Sequence, residues 1–202
     1  RQTVHGALQS VSCVAVLADQ QIGARVDHQM HSGGVGSGAK SGDQVGMLQA
    51  LLEAGHGADL VVGASAGAIN GAFFAFEPTL AGVRNLKSIW CALRRSDVFP
   101  FSFANLYGLL TGRGHLCGHE GLRSLLERHL ADRVIEGAAI PLHVVASDLV
   151  TGDEVRLSSG SRVEAVLASA AIPGVFPPVS IDERLLVDGG VANNTPISSA
   201  VR

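Results

Sequence analysis

Apolar and polar positions fall in blocks along this chain, and the spacing within blocks switches between strand-like and helix-like periods. Residues 11–18 are an apolar run with the length of a buried strand. Residues 20–31 are polar with no clear period, and 32–42 form a glycine-rich loop. Val45, Met47, Leu48, Leu51 and Leu52 then make the apolar face of a helix expected over 43–54, stopped by Gly55 and Gly57. A short apolar strand, 60–65, runs into a turn. Helices are expected at 66–76, closed by Pro78, and at 80–93. Residues 96–114 are aromatic and irregular. Leu122, Leu125, Leu126 and Leu130 mark an amphipathic helix over 118–130. Residues 141–148 read as a strand that pairs with 154–158 across Thr151-Gly152-Asp153. A helix over 162–170 ends before Pro173, and a last strand, 184–187, halts at Asp188-Gly189-Gly190. Strands alternating with helices predict an α/β fold, with a mostly parallel sheet covered by helices on both faces. No repeat and no second domain is visible.

Bulk composition narrows the class. The chain has 202 residues, of which 47% are hydrophobic, 16% charged and 4% aromatic. That is one globular domain, able to bury roughly 70% of its unfolded surface without metal or disulfide support. A formal net charge of −3 argues against nucleic acid as a partner. It is compatible with transient contact at a membrane surface, which can be local and apolar. Cys13, Cys91 and Cys117 are odd in number and widely spaced, so no disulfide framework is expected. No apolar run reaches the roughly 18 residues of a membrane span. Residues 11–18 are too short, and lack a following cleavage site, to be a signal peptide. The expected location is cytoplasmic or peripheral to a membrane. Secretion stays open, because the chain starts at an arginine and stops at Arg202 inside a helical pattern, as a fragment would.

Chemistry concentrates at three places. Gly63-Ala64-Ser65-Ala66-Gly67 has the G-x-S-x-G spacing, entered by an apolar strand and left by an alanine-rich helix. A nucleophilic serine needs that strand–elbow–helix setting. Gly63 and Gly67 keep the two arms of the turn from colliding, and the helix N-terminus favours a developing oxyanion near Ser65. A serine also needs a base. No histidine follows Asp188, so the Ser-Asp-His order of α/β-hydrolases is not met. Asp188 itself is the candidate base. It ends a strand, and Gly189 and Gly190 leave its carboxylate unshielded. A parallel sheet would bring it to the edge where Ser65 lies. Capping of the following turn is the plainer use of an aspartate there. The third place is Ser32-Gly33-Gly34-Val35-Gly36-Ser37-Gly38-Ala39-Lys40-Ser41-Gly42, whose backbone N–H groups would make an anion site. It fits neither the dinucleotide fingerprint nor the P-loop spacing.

In this order the three elements resemble the patatin-like phospholipase family. Residues 44–55, 62–71, 168–179 and 187–196 are similar to further stretches of that family, so the likeness runs from about Ser32 to the end. The domain reading is therefore 1–31 as an N-terminal segment of uncertain register and 32–202 as the hydrolase domain, with truncation at the C-terminus left open. The resemblance implies a three-layer fold and a Ser65–Asp188 dyad acting on lipid acyl esters, with no cofactor and no metal. It assigns the oxyanion to backbone N–H groups around Gly33, Gly34, Gly36 and Gly38. Residues 27–31 are not strand-like where the family has a strand, and the loop can start at Ser32 or at Gly36. The same dyad would also serve a thioesterase or an acyltransferase, and an irregular loop would suit a non-catalytic lipid- or partner-binding domain. His115-x-Cys117-x-His119 has metal-like spacing but is expected to be a surface loop. The phenylalanines from Phe99 to Phe103 suit either a lipid-facing lid or the core.

Overall fold

The computed structural model describes residues 14–17, 37–98, 115–130 and 133–192. Its strands are β1 (Val14–Leu17), β2 (Leu60–Ala64), β3 (Leu142–Asp148), β4 (Glu154–Leu157), β5 (Val179–Ile181) and β6 (Arg184–Asp188). Its helices are α1 (Ser37–Glu53), α2 (Ala66–Phe76), α3 (Leu80–Ala92), the short α4 (Arg95–Val98), α5 (Glu120–Leu130) and α6 (Arg162–Ser169). The strands form one sheet whose pairing runs from β1 to β2, β2 to β3, β3 to β6 and β6 to β5, with β4 also paired to β3. β1, β2 and β3 are parallel, β4 and β6 oppose β3, and β5 opposes β6. Four of the six strands thus run one way, in a mixed, mostly parallel sheet flanked by helices. This is the expected α/β class.

The register around β3 matters most. Val144 and Val145 pair with both β2 and β4, so those two strands occupy opposite edges of β3. Ala146 and Ser147 pair with both β4 and β6, so β6 shares the edge used by β2. β2 runs along that edge as far as Ala64, opposite Val145. β6 arrives from the other direction and reaches Asp188, opposite Ala146. The two strands therefore meet end to end at neighbouring positions of a single central strand.

Packing allows this because small residues line the junction. A Cβ on Gly189 would run into the Val145 carbonyl and come within 3.3 Å of the Ala64 methyl group. Val61, Leu142, Val144, Ala146 and Leu186 share one core with the helices. Ala68, Ala72 and Ala75 are fully buried along α2, and their small size lets the helix lie close to the sheet. Beyond α2, Val45 and Leu48 of α1 and Val83 and Leu86 of α3 extend the same core. Val62, Ala64 and Val145 are buried separately.

Several boundaries differ from the sequence reading. α1 begins at Ser37, six positions before the expected Asp43, so part of the glycine-rich stretch is helical. Each glycine in a helix costs about 1 kcal/mol relative to alanine. Packing of α1 against α2 and α3 offsets this, as tertiary contact commonly does. β1, in contrast, lies within the strand expected over 11–18, and pairs with β2 from Val14 opposite Leu60. β5 was not expected. It is only three residues long and joins β6 through Asp182 and Glu183, both with positive φ (48° and 62°) but neither a glycine.

Gly189→Ala is expected to destabilise the fold by about 1–3 kcal/mol, the usual cost of overpacking. For a chain of this size that lowers the melting midpoint by roughly 5 °C. A thermal melt indistinguishable from the parent's would contradict the tight junction of β2, β3 and β6.

Candidate active site

Ser65 sits between the last residue of β2 and the first of α2, with φ 54° and ψ −125°. That is a costly conformation for a residue with a side chain, by about 1–3 kcal/mol. The surrounding bonds hold it there. The Ser65 N–H donates to Ser169 Oγ at 2.9 Å, and that hydroxyl donates to the Val145 carbonyl at 2.5 Å. The Ser65 carbonyl accepts from Ala68 N–H at 3.0 Å, which closes the first turn of α2. Gly63 is needed because a Cβ there would lie 2.5 Å from the Gly67 carbonyl oxygen and 2.8 Å from Ala68 Cα. The clash foreseen between the arms of the elbow is thus a property of the structure.

Asp188 ends β6, one register step along β3 from Ala64. Ser65 Oγ donates to Asp188 Oδ2 at 2.7 Å, across 123 positions of sequence. Both residues are buried, at 8% and 6% exposure. Asp188 Oδ1 accepts the Gly190 N–H at 2.8 Å, so the carboxylate caps its own turn and also meets the serine. The Asp188 N–H donates to the Ala171 carbonyl at 2.9 Å. Its carbonyl accepts Ser147 Oγ–H at 2.9 Å and Val191 N–H at 3.1 Å. The reason the two side chains meet differs from the one expected. They are brought together by β2 and β6 approaching from opposite directions, since β6 is antiparallel to β3.

Of the four glycines assigned to the oxyanion loop, Gly33, Gly34 and Gly36 lie outside the described residues. Gly38 lies in the first turn of α1, so it belongs to a helix and not to a loop. Its N–H is still among those a helix start leaves without an intrahelical partner. A buried polar link that the sequence reading missed ties α1 to the nucleophile's helix. Asn70 Nδ2 donates to Gln44 Oε1 at 2.7 Å, and Trp90 Nε1 donates to Asn70 Oδ1 at 2.7 Å. One asparagine on α2 thereby fixes α1 on one side and α3 on the other. Asparagine inside an otherwise apolar helix stretch was the available signal.

A family model described as patatin-like phospholipase matches residues 35–201. The chain belongs to the patatin-like phospholipase family. Patatin-like phospholipase domain-containing protein 7 of Rattus norvegicus is 32% identical over 168 residues, covering 82% of this chain and 12% of the relative. An uncharacterized NTE family protein of Mycobacterium tuberculosis is 33% identical over 165 residues, covering 80% and 26%. Another from Mycobacterium bovis is 30% identical over 161 residues, covering 80% and 42%. The chain thus spans less than half the length of each of these curated relatives.

In this patatin-like phospholipase chain residues 115–119 form the expected loop, but a half-buried one. Leu116 and Cys117 N–H groups donate to the Gly174 and Val175 carbonyls at 3.0 and 2.8 Å, and the Cys117 side chain is in the core. Leu116 and Cys117, two adjacent apolar residues between His115 and Gly118, were too short a run to reveal that docking. His119 stacks on Phe176 with ring centroids 5.6 Å apart. Its Nε2 lies 2.8 Å from the Pro177 carbonyl, which can only accept, so Nε2 carries the proton. Nδ1 is buried without a hydrogen-bond partner among the described residues. Among those residues no three His, Cys, Asp or Glu side chains converge to hold a metal ion. No helix among them is long and apolar enough to cross a membrane. Phe99, Phe101 and Phe103 lie outside them.

Burial holds the His119 imidazole below its ordinary value of 6.5, because a second proton on Nδ1 would find no acceptor. Burial, with Arg156 nearby, lowers His143 as well. The folded state therefore prefers both rings neutral. Their contribution is complete above about pH 6.5 and is lost as the pH falls below it, since the unfolded chain takes up protons first. The melting midpoint is expected to drop between about pH 7 and pH 5.5, and a His119→Gln, His143→Gln double variant should show a flatter profile. Equal slopes for the two proteins would count against this assignment.

Proposed function

We propose that the chain is a serine-dependent lipid acyl hydrolase of the phospholipase A, lysophospholipase or esterase type, with Ser65 as nucleophile and Asp188 as base. The observation that carries this reading is the 2.7 Å hydrogen bond from Ser65 Oγ to Asp188 Oδ2, made at a backbone-strained elbow. Strain of this kind clusters at working sites.

Ser65 Oγ attacks the ester carbonyl carbon while its proton passes to Asp188 Oδ2. The carbonyl electrons move to oxygen, and backbone N–H groups stabilise the resulting oxyanion. Those come from the start of α2 and from the glycine segment that includes Gly33, Gly34, Gly36 and Gly38. The positive end of the α2 dipole adds to the effect. Each such donor typically contributes about 10²–10³ in rate. Collapse expels the alcohol, which takes the proton from Asp188 and leaves an acyl ester on Ser65. Water then attacks, again giving its proton to Asp188, and collapse breaks the bond to Ser65 Oγ, which takes that proton back as the fatty acid leaves. An aspartate serves as base here because its orientation is set by the Gly190 N–H, and proximity at 2.7 Å replaces part of the basicity that histidine would bring. The substrate is met by transient contact with a lipid surface.

Turnover of p-nitrophenyl esters of several chain lengths tests the reading. Ser65→Ala and Asp188→Asn are each expected to lower kcat by about 10³-fold or more. Together they should cost little more than either alone, since the two groups act as one unit. Full activity in Asp188→Asn would remove the aspartate from the mechanism. A parent protein with neither turnover nor labelling by a fluorophosphonate would remove the hydrolase itself.

A further inference from the structure

We infer that Ser169 is a positioning residue for the dyad, holding the backbone of both partners while touching neither reacting atom. The inference rests on the Ser65–Asp188 reading above. Ser169 ends α6 and is fully buried, at 0% exposure. Its hydroxyl has one hydrogen, directed to the Val145 carbonyl at 2.5 Å, so a lone pair is left to accept the Ser65 N–H at 2.9 Å. Donor and acceptor roles are unambiguous, because an amide N–H only donates and a carbonyl only accepts. The Ser169 carbonyl in turn accepts the Gly189 N–H at 3.2 Å. One residue therefore grips the nucleophile's amide, the central strand and the turn that follows the base.

Ser147 offers an instructive comparison. Its hydroxyl donates to the Asp188 carbonyl and accepts the Ala192 N–H at 3.0 Å, so it serves only the Asp188 side. Ser169 is shared by both sides. Two consequences follow. The positive φ of Ser65 is held by the Ser169 hydroxyl, so losing that hydroxyl lets the elbow relax and swings Oγ off its line to Asp188. The Ser65 N–H is already engaged, so it does not supply an oxyanion donor, and that duty falls to other backbone groups.

Steady-state kinetics on a p-nitrophenyl ester separate positioning from bulk stability. Ser169→Ala is expected to lower kcat by about 10²-fold, the scale of a small misplacement of reacting groups, with KM within about threefold of the parent. Ser169→Thr, which keeps the hydroxyl, should recover at least about tenfold of that loss. Ile135→Val, which trims a buried core side chain that makes none of these hydrogen bonds, should leave kcat within about twofold. Should Ser169→Ala fail to fold, Ser169→Cys, with similar volume and a weak donor, is judged by the same values. A kcat within about threefold of the parent in the hydroxyl-free variant, or a threonine variant no better than alanine, overturns the inference. Failure of the dyad itself would look different: the parent would turn over ester unaffected by Ser65→Ala or Asp188→Asn.

Discussion

β2 and β6 end against each other on one edge of β3, and the register of that strand decides where both functional side chains stand. Ala64 lies opposite Val145, and Asp188 lies opposite Ala146. The hydrogen bond between Ser65 and Asp188 is therefore set by adjacent rungs of a ladder and not by the chance approach of two loops. A one-residue slip of β6 would turn its side chains to the other face of the sheet. The small residues at the junction allow so close a meeting, and the buried hydroxyls of Ser147 and Ser169 satisfy the backbone groups that it leaves over. Leaving such buried groups unpaired would cost about 1–3 kcal/mol each.

The parts legible in the sequence were those whose cause is local. Gly63, Ser65 and Gly67 announce an elbow because the clash they avoid lies within five consecutive residues. Asp188 followed by Gly189 and Gly190 announces a strand end with an uncovered carboxylate. α2 matches its expected span of 66–76, because an alanine-rich run bounded by Ser65 and Pro78 leaves little choice. The parts that were not legible depend on partners distant in sequence. Nothing in Arg184–Asp188 tells that the strand runs against β3. β5 is short, follows two prolines, and turns through Asp182 and Glu183 without a glycine to signal it. Ser169 could be quoted as part of a family-like stretch, yet its use is visible only once Ser65 and Val145 are beside it in space.

The helical side of the molecule shows the same economy. Asn70 sits on α2, five positions after the nucleophile, and its amide bonds Gln44 while receiving the Trp90 indole. Gln44 belongs to α1, which in turn begins at Ser37, inside the glycine-rich segment. A single buried side chain thus sets the relation between the elbow helix and the helix that emerges from that segment. Polar groups placed in an apolar helix interface give specificity of arrangement, since only one packing pairs them all.

The 123 residues between Ser65 and Asp188 also order events in time. Chains fold as they are synthesised, N-terminal parts first. Ser65 emerges with its strand and helix long before β6 exists to meet the end of β2 on β3. On the proposed mechanism a nascent or half-folded chain carries a serine with no base, and a serine hydroxyl without one is nearly inert. Lipid hydrolysis would then begin only when β6 has docked on β3, so that this docking and the onset of activity are one event.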